Sequence, residues 1–447
     1  TYNGNPNNRG GNGAAVYSDD VMTIDDSTFI NNTNTRNDAV YLREATVTDS
    51  SFTNTIIYVN GKPLTISNNT YDNEGFDIVT SNAVYFDGVG DIPKMSNADL
   101  YYNATSFASL QAILDASSNI AVYLTDDVTK LASEEEAFAN GIIVNGSPVI
   151  YLQGHTITSN NGKVFTVNES GSLSLYDANV VGDGTSAIVN KGTVTLSLTS
   201  PATFTNVGEF AIDNQGTIKA NEKLTTFTQL NNLIALISGG EIYLSQYRYE
   251  ITKTDAEKDA FANGIVIDKN LTIRGIVHSS RGIDTKINAN NNGRIFTVND
   301  GATLTLQKVI LQNGNATDGG AVYVNAGATL NTDTVGFNDN TATNRGGAIY
   351  AYDGNLDITS ATFKNNVAVK GGAIYCEGDA KIIGCTFISN KATSKLESIG
   401  GALYLNHGNH YLKDCKFIDN NAKNHGGAIF AYISLDRKSG SAGMPRP

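Results

Sequence analysis

Five times in the last third of the chain one five-residue phrase returns: Gly319-Gly320-Ala321-Val322-Tyr323, then Gly346 to Tyr350, Gly371 to Tyr375, Gly400 to Tyr404 and Gly426 to Phe430. Successive copies are 27, 25, 29 and 26 residues apart. Between them a second phrase, Phe-x-x-Asn, falls at Phe337/Asn340, Phe363/Asn366, Phe387/Asn390 and Phe417/Asn420. Two fixed phrases recurring at such a period mean a stacked repeat, in which each unit contacts only its neighbours.

One unit reads as strand, turn, strand: Ala348-Ile349-Tyr350-Ala351, the turn Tyr352-Asp353-Gly354-Asn355, then Leu356-Asp357-Ile358. There is no room in it for a helix. Alternation places Ile349 and Ala351 on one face, with Val322/Val324, Ile374/Cys376, Leu403/Leu405 and Ile429/Ala431 as their equivalents. All are apolar, so this face points inward. A single coil buries too little apolar surface to offset the entropy of ordering it, whereas stacked coils share a continuous core. The expected fold is therefore all-β, a parallel β-helix. In it Gly-Gly serves a left-handed or closely approached backbone, Phe forms an interior aromatic column, and Asn forms an amide ladder from rung to rung.

Weaker copies occur near the N-terminus, at Ala15-Val16-Tyr17 with Phe29/Asn32, Ala39-Val40-Tyr41 with Phe52, Ile57-Tyr58 with Tyr71, and Ala83-Val84-Tyr85. Residues 1–103 are accordingly read as the end of a longer β-helical stack, in a chain that begins at Thr1 without Met. Two later segments duplicate one another, from Phe107 to Leu114 and from Phe227 to Ile237, each with apolar residues three and four apart. Phe-Ala-Asn-Gly-Ile and Phe-Thr-Val-Asn follow in both, at Phe138 and Phe165, then at Phe261 and Phe296. A short apolar helix opening each module would cover the unpaired edge of its first rung. This predicts capped modules over 104–224 and 225–435, the first with degenerate repeats such as Ala187-Ile188-Val189. Residues 436–447, rich in Ser, Gly and Pro, are read as a disordered tail or a cloning remnant.

The net charge is -13, from 31 basic and 44 acidic residues, with no basic run. Nucleic acid and anionic membrane are poor partners for such a chain. No apolar run reaches the ~18 residues of a membrane span, so no insertion within this segment is expected. Three cysteines exclude a disulfide framework. Cys385 and Cys415, two residues before the repeat Phe, are expected as free thiols buried on adjacent rungs.

Gly-Gly-Ala-[Ile/Val/Leu] alternating with Phe-x-x-Asn resembles the repeat of the chlamydial polymorphic outer-membrane proteins. The longer unit Gly264-Ile265-Val266-Ile267-Asp268, Leu271-Thr272-Ile273, Ile295-Phe296-Thr297-Val298, Asn313 to Thr317 and Gly319-Gly320-Ala321 is similar to the adhesin-like proteins of methanogenic archaea. These resemblances imply a right-handed, pectin-lyase-like solenoid with short capping helices. They also imply extracellular display on the cell surface, where the chain, expected to be monomeric, contacts glycans or proteins of other cells.

Many pectin-lyase-like proteins are enzymes, so catalytic signatures matter. Asn331-Thr332-Asp333 resembles one signature of the pectin hydrolases, but Asp-Asp occurs only at Asp19-Asp20, Asp25-Asp26 and Asp126-Asp127, and Gly-His-Gly and Arg-Ile-Lys are missing. Asp333 then reads as a turn residue, and no enzyme activity is expected; a polysaccharide lyase or hydrolase is the alternative, and a passive wall spacer another. No cofactor is expected, a structural Ca²⁺ in the acidic turns being the metal weighed. His407 and His410 flank a turn read as solvated. Seven Asn-x-Ser/Thr sequons, at Asn31, Asn68, Asn103, Asn145, Asn168, Asn270 and Asn315, leave N-glycosylation open. One constellation points outward: Tyr323, Tyr350, Tyr375, Tyr404 and Phe430 alternate with the inward positions and predict an exposed aromatic stripe. It is read either as a sugar-binding platform or as rings that shield the ladder beneath them.

Overall fold

The computed structural model describes residues 15–32, 40–59, 62–73, 76–80, 83–86, 90–96, 99–116, 119–197, 203–220, 224–244, 250–280, 282–394 and 397–432. The segment 436–447 lies outside them. The chain divides into two compact units, residues 1–222 with 234–241, and residues 223–233 with 242–447. Each is a parallel β-helix.

In the second unit one seven-stranded sheet runs from Ile265–Ile267 to Ile429–Tyr432, and another from Glu250–Thr252 to Lys416–Ile418. A five-stranded sheet runs from Asn315–Asp318 to Asn421–Ala422. A further face stacks Leu271–Arg274, Thr303–Gln307, Thr329–Asp333, Asn355–Thr359, Ala380–Ile383 and His410–Lys413. Pairing is parallel and in register, Ile349 with Ile374 and Tyr350 with Tyr375, as the shared phrase requires.

Corners recur because left-handed residues recur. Thr334, Ser360, Gly384 and Asp414 have φ between 54° and 63°, and Asp339, Asn365, Ser389 and Asp419 between 53° and 57°. Apart from Gly384 these side chains are short and polar, and such residues best tolerate that region by bonding to nearby backbone. The third corner is the first glycine of each repeat, such as Gly346 at φ 60°.

The core follows the sequence. Phe337, Phe363, Phe387 and Phe417 stack with centroids 4.7, 4.8 and 4.9 Å apart. Burying each ring removes an apolar side chain from water, worth about 1.5–3 kcal/mol. At the next corner the Asn340 amide Nδ2 donates to Asn366 Oδ1 at 3.0 Å, Asn366 to Asn390 at 2.9 Å and Asn390 to Asn420 at 2.9 Å. Asn340, Asn366 and Asn390 are fully buried, and the ladder satisfies amides that would otherwise be costly to bury.

The first unit repeats this plan with drifted residues. Phe29, Phe52 and Tyr71 form its aromatic column, and Thr55 with Asn73 occupies the ladder corner. The strand Asp99–Tyr102 pairs with Ala83–Phe86 on one side and Ala121–Leu124 on the other. Helix α1 (Phe107–Ala116) follows and buries Phe107, Leu110, Ile113 and Leu114. It lies against Ile142–Val144, an edge strand of its sheet. There Gln111 stands in for a neighbouring strand: its Oε1 accepts from Ile143 N–H at 2.7 Å and its Nε2 donates to Ile143 O at 3.0 Å. The helix caps as expected, although the Asp99–Tyr102 sheet runs on past it.

Helix α2 (Phe227–Ala235) begins as α1 does. The Glu134 carboxylate accepts from Ala108 N–H at 2.7 Å, and the Glu257 carboxylate from Thr228 N–H at 2.6 Å, each capping a helix start from a distant loop. Burial alone would push both carboxyls up. Hydrogen bonds from Leu131 and Ala108, and from Thr228 and Thr254, outweigh it and hold both below their ordinary values. Beside Glu257, Lys253 is fully buried, its Nζ donating to the carbonyls of Phe261 at 2.6 Å, Arg294 at 2.8 Å and Asn292 at 3.3 Å. Lys130 donates in the same way to Asn161 O.

Candidate functional site

The five stripe residues occupy one outward column of the second unit, Tyr323 beside Tyr350, then Tyr375, Tyr404 and Phe430. Their expected exposure is corrected by the structure. Tyr350 is 1% and Tyr375 6% exposed, while Tyr323, Tyr404 and Phe430 are half-buried. The cover is arginine: the Arg345 guanidinium lies 4.4 Å from the Tyr350 centroid and 5.7 Å from that of Tyr375, and Arg294 lies 4.8 Å from that of Tyr323.

Arg345 is fixed by Asp318, whose Oδ1 is 3.0 Å from Nε, and by Glu377, whose Oε1 is 3.6 Å from Nη1. The Tyr350 hydroxyl donates to Glu377 Oε2 at 2.9 Å. Burial, then the bond to Glu377, raises the Tyr350 phenol far above its ordinary value. Burial would lower Arg345, but its bond to Asp318 and its charged neighbours raise it instead. Two carboxylates thus converge on one permanently charged guanidinium, which binds them and has no proton to exchange near neutral pH. The stripe is sealed at its centre by side chains of neighbouring coils.

A second tyrosine column, unread in the sequence, stands on the first unit. Tyr85, Tyr101, Tyr123, Tyr151 and Tyr176 occupy consecutive rungs with centroids 4.7, 4.7, 4.3 and 4.5 Å apart and planes within 26°. Their faces pack on one another and their edges turn to solvent; Tyr85 is 42% exposed and the others half-buried. Burial and the Asp99 carboxylate push Tyr123 up to about 12. A signal was present: Ala83-Val84-Tyr85, Asp99-Leu100-Tyr101, Ala121-Val122-Tyr123, Val149-Ile150-Tyr151 and Ser174-Leu175-Tyr176 share one pattern of short, aliphatic, tyrosine. Uneven loops between the copies hid it.

Asp333 is exposed and accepts from Thr334 Oγ1 at 3.0 Å. Among the described residues no three His, Cys, Asp or Glu side chains gather as a metal site. Cys376, Cys385 and Cys415 are free thiols, and Cys415 is half-buried where full burial was expected. Cys385 Sγ donates to Ile383 O at 3.3 Å, as Ser50 Oγ does to Thr48 O at 2.6 Å in the first unit. His410 departs from the solvated-loop reading: both its ring nitrogens are buried, and burial lowers its pKa against a bond to the His407 backbone that raises it.

Residues 337–352, 360–377 and 414–432 match the family model of the Chlamydia polymorphic membrane protein repeat. The second unit thus carries stretches similar to that repeat. Each matched stretch follows the coil from the Phe column, or just before it, through the Asn ladder to the outward tyrosine strand, so the repeat is defined by the residues that stack. No curated protein and no solved structure matches the chain. Among the described residues no helix is long and apolar enough to cross a membrane.

Proposed function

We propose that this chain is part of a surface-displayed, adhesin-like protein without catalytic activity, presenting β-helix faces to glycans or proteins of other cells. One observation carries the reading: stacked coils repeat an outward side chain at every rung, and on the first unit this yields a partly exposed tyrosine column of five rings. Such an array offers many weak, equivalent contacts to a repeating polymer, which suits multivalent adhesion. The match to a repeat of membrane proteins supports display at a surface. At the stripe of the second unit, absence of turnover is supported by Asp318 and Glu377, both committed to Arg345.

Whole-cell and glycan binding by the purified chain tests the proposal, with release of reducing ends or unsaturated sugars from pectin as the control. Saturable binding without turnover is expected; turnover would replace it with the enzyme reading. For the second unit, the sealing of Tyr350 and Tyr375 favours a spacer role, in which case the unit binds nothing when tested with the first unit blocked.

A further inference from the structure

We infer that the outward sheet of the first unit holds an oligosaccharide site where its tyrosine column stops, formed by the open face of Tyr85, a floor of threonines and a charge-balanced cavity beside them. This rests on the adhesin-like reading and names its ligand class, a neutral glycan.

Register defines the step. Tyr85 pairs with Thr65, Thr65 with Thr46 and Thr46 with Thr23, so the column that carries rings from Tyr85 to Tyr176 continues as three short side chains. One face of Tyr85 is covered by Tyr101. The other looks over Thr65, itself exposed, and among the described residues no second ring stacks on it. Inside the column each ring face is already stacked, so a pyranose finds room only at an end of it, and at the Tyr85 end its C–H side can rest on the negative face of the ring beside the cavity.

Beside the floor lies a cavity of about 230 Å³ lined by Asp20, Val21, Arg43, Glu44 and Lys62. Val21 and Glu44 are paired and precede Thr23 and Thr46 by two residues on the same strands, so they project from the same face. A register slip between Ser18 and Val21 displaces the strand there, and the extra residue exposes Asp20. Lys62 Nζ sits 2.5 Å from Glu44 Oε2.

The chemistry selects the ligand. Two carboxylates and two cations leave the cavity without net charge, so a polyanion gains no attraction, particularly in a chain of net charge -13. A polyol finds both acceptors and donors. Peptide strand addition is excluded, because this is a sheet face whose backbone groups are paired on both sides at Thr65.

The test is calorimetric titration of the full chain with short neutral gluco-, manno- and galacto-oligosaccharides and with matched uronic-acid oligosaccharides. A neutral series is expected to bind. Tyr85→Ala should weaken it about tenfold, and Tyr85→Leu, which keeps apolar bulk in the column but removes the ring face, should do the same. Glu44→Gln should weaken it by a smaller factor. Neutral binding that survives both Tyr85→Ala and Tyr85→Leu overturns the inference and leaves the adhesin-like reading standing. Binding confined to the uronic series overturns the assigned ligand class. If no oligosaccharide binds, the inference fails; retained cell binding then preserves the broader reading, and its loss removes both.

Discussion

A Cβ on Gly347 would sit 2.1 Å from the carbonyl oxygen of Gly372 on the next coil. The second glycine of the repeat is therefore required by its neighbour, while the first, Gly346, is required by its own φ of 60°. Gly347→Ala cannot be absorbed by a side-chain rotation, since the obstacle is backbone. It should destabilise the second unit by about 3 kcal/mol or more. Gly384→Asn is the control, because Gly384 has a left-handed φ of 63° and only Ser360 Oγ, at 3.9 Å, near its added Cβ. Asn tolerates that region, so the change should stay within about 0.5 kcal/mol. Urea denaturation of each variant checks both.

The amide ladder gives a second expectation. Asn366 donates to Phe337 O and Asn390 Oδ1, each at 2.9 Å, and accepts from Asn340 N and Nδ2, each at 3.0 Å. Asn366→Ala orphans groups on two neighbouring coils. A loss of about 2–4 kcal/mol is expected, read as a lower denaturation midpoint.

The buried lysine fixes a pH dependence. Burial pushes Lys253 down to about 8 from its ordinary 10.5. Between those values the unfolded chain holds a proton that the folded chain has released, so stability rises with pH across the interval and is unaffected below it. Denaturation midpoints measured from pH 7 to 10.5 should show this rise, and Lys253→Met should abolish it. The same variant leaves the carbonyls of Phe261, Asn292 and Arg294 without their donor, so it should be less stable at neutral pH.

Arg345 both covers and neutralises. Arg345→Met leaves the carboxylates of Asp318 and Glu377 without their shared cation and uncovers Tyr350. Its side chain is 30% exposed, so solvent moderates the effect, expected at about 2 kcal/mol. A lower urea denaturation midpoint at neutral pH than that of the parent chain checks it.

Glu257→Ala tests the remote helix cap. The substitution removes the acceptor of Thr228 N–H and of Thr254 N–H at once. About 1–2 kcal/mol should be lost, visible as a lower melting temperature, and Glu257→Gln should recover part of it.

Periodicity alone determined the coil. Equal spacing forces equivalent residues into register, which is why the Phe column, the Asn ladder and the outward direction of Tyr350 were legible in the chain itself. The helices at Phe107 and Phe227 were legible for a similar reason, from apolar residues three and four apart. Exposure was not, because it depends on side chains that reach across rungs: Arg345, one residue before the glycine pair, folds over Tyr350 only once Asp318 and Glu377 on adjacent coils hold it there. The tyrosines from Tyr85 to Tyr176 likewise became one column only when loops of unequal length brought their strands level. Sequence spacing decides which way a side chain points from its own strand, whereas what lies above it is decided by residues of other coils, and only the folded stack brings those together.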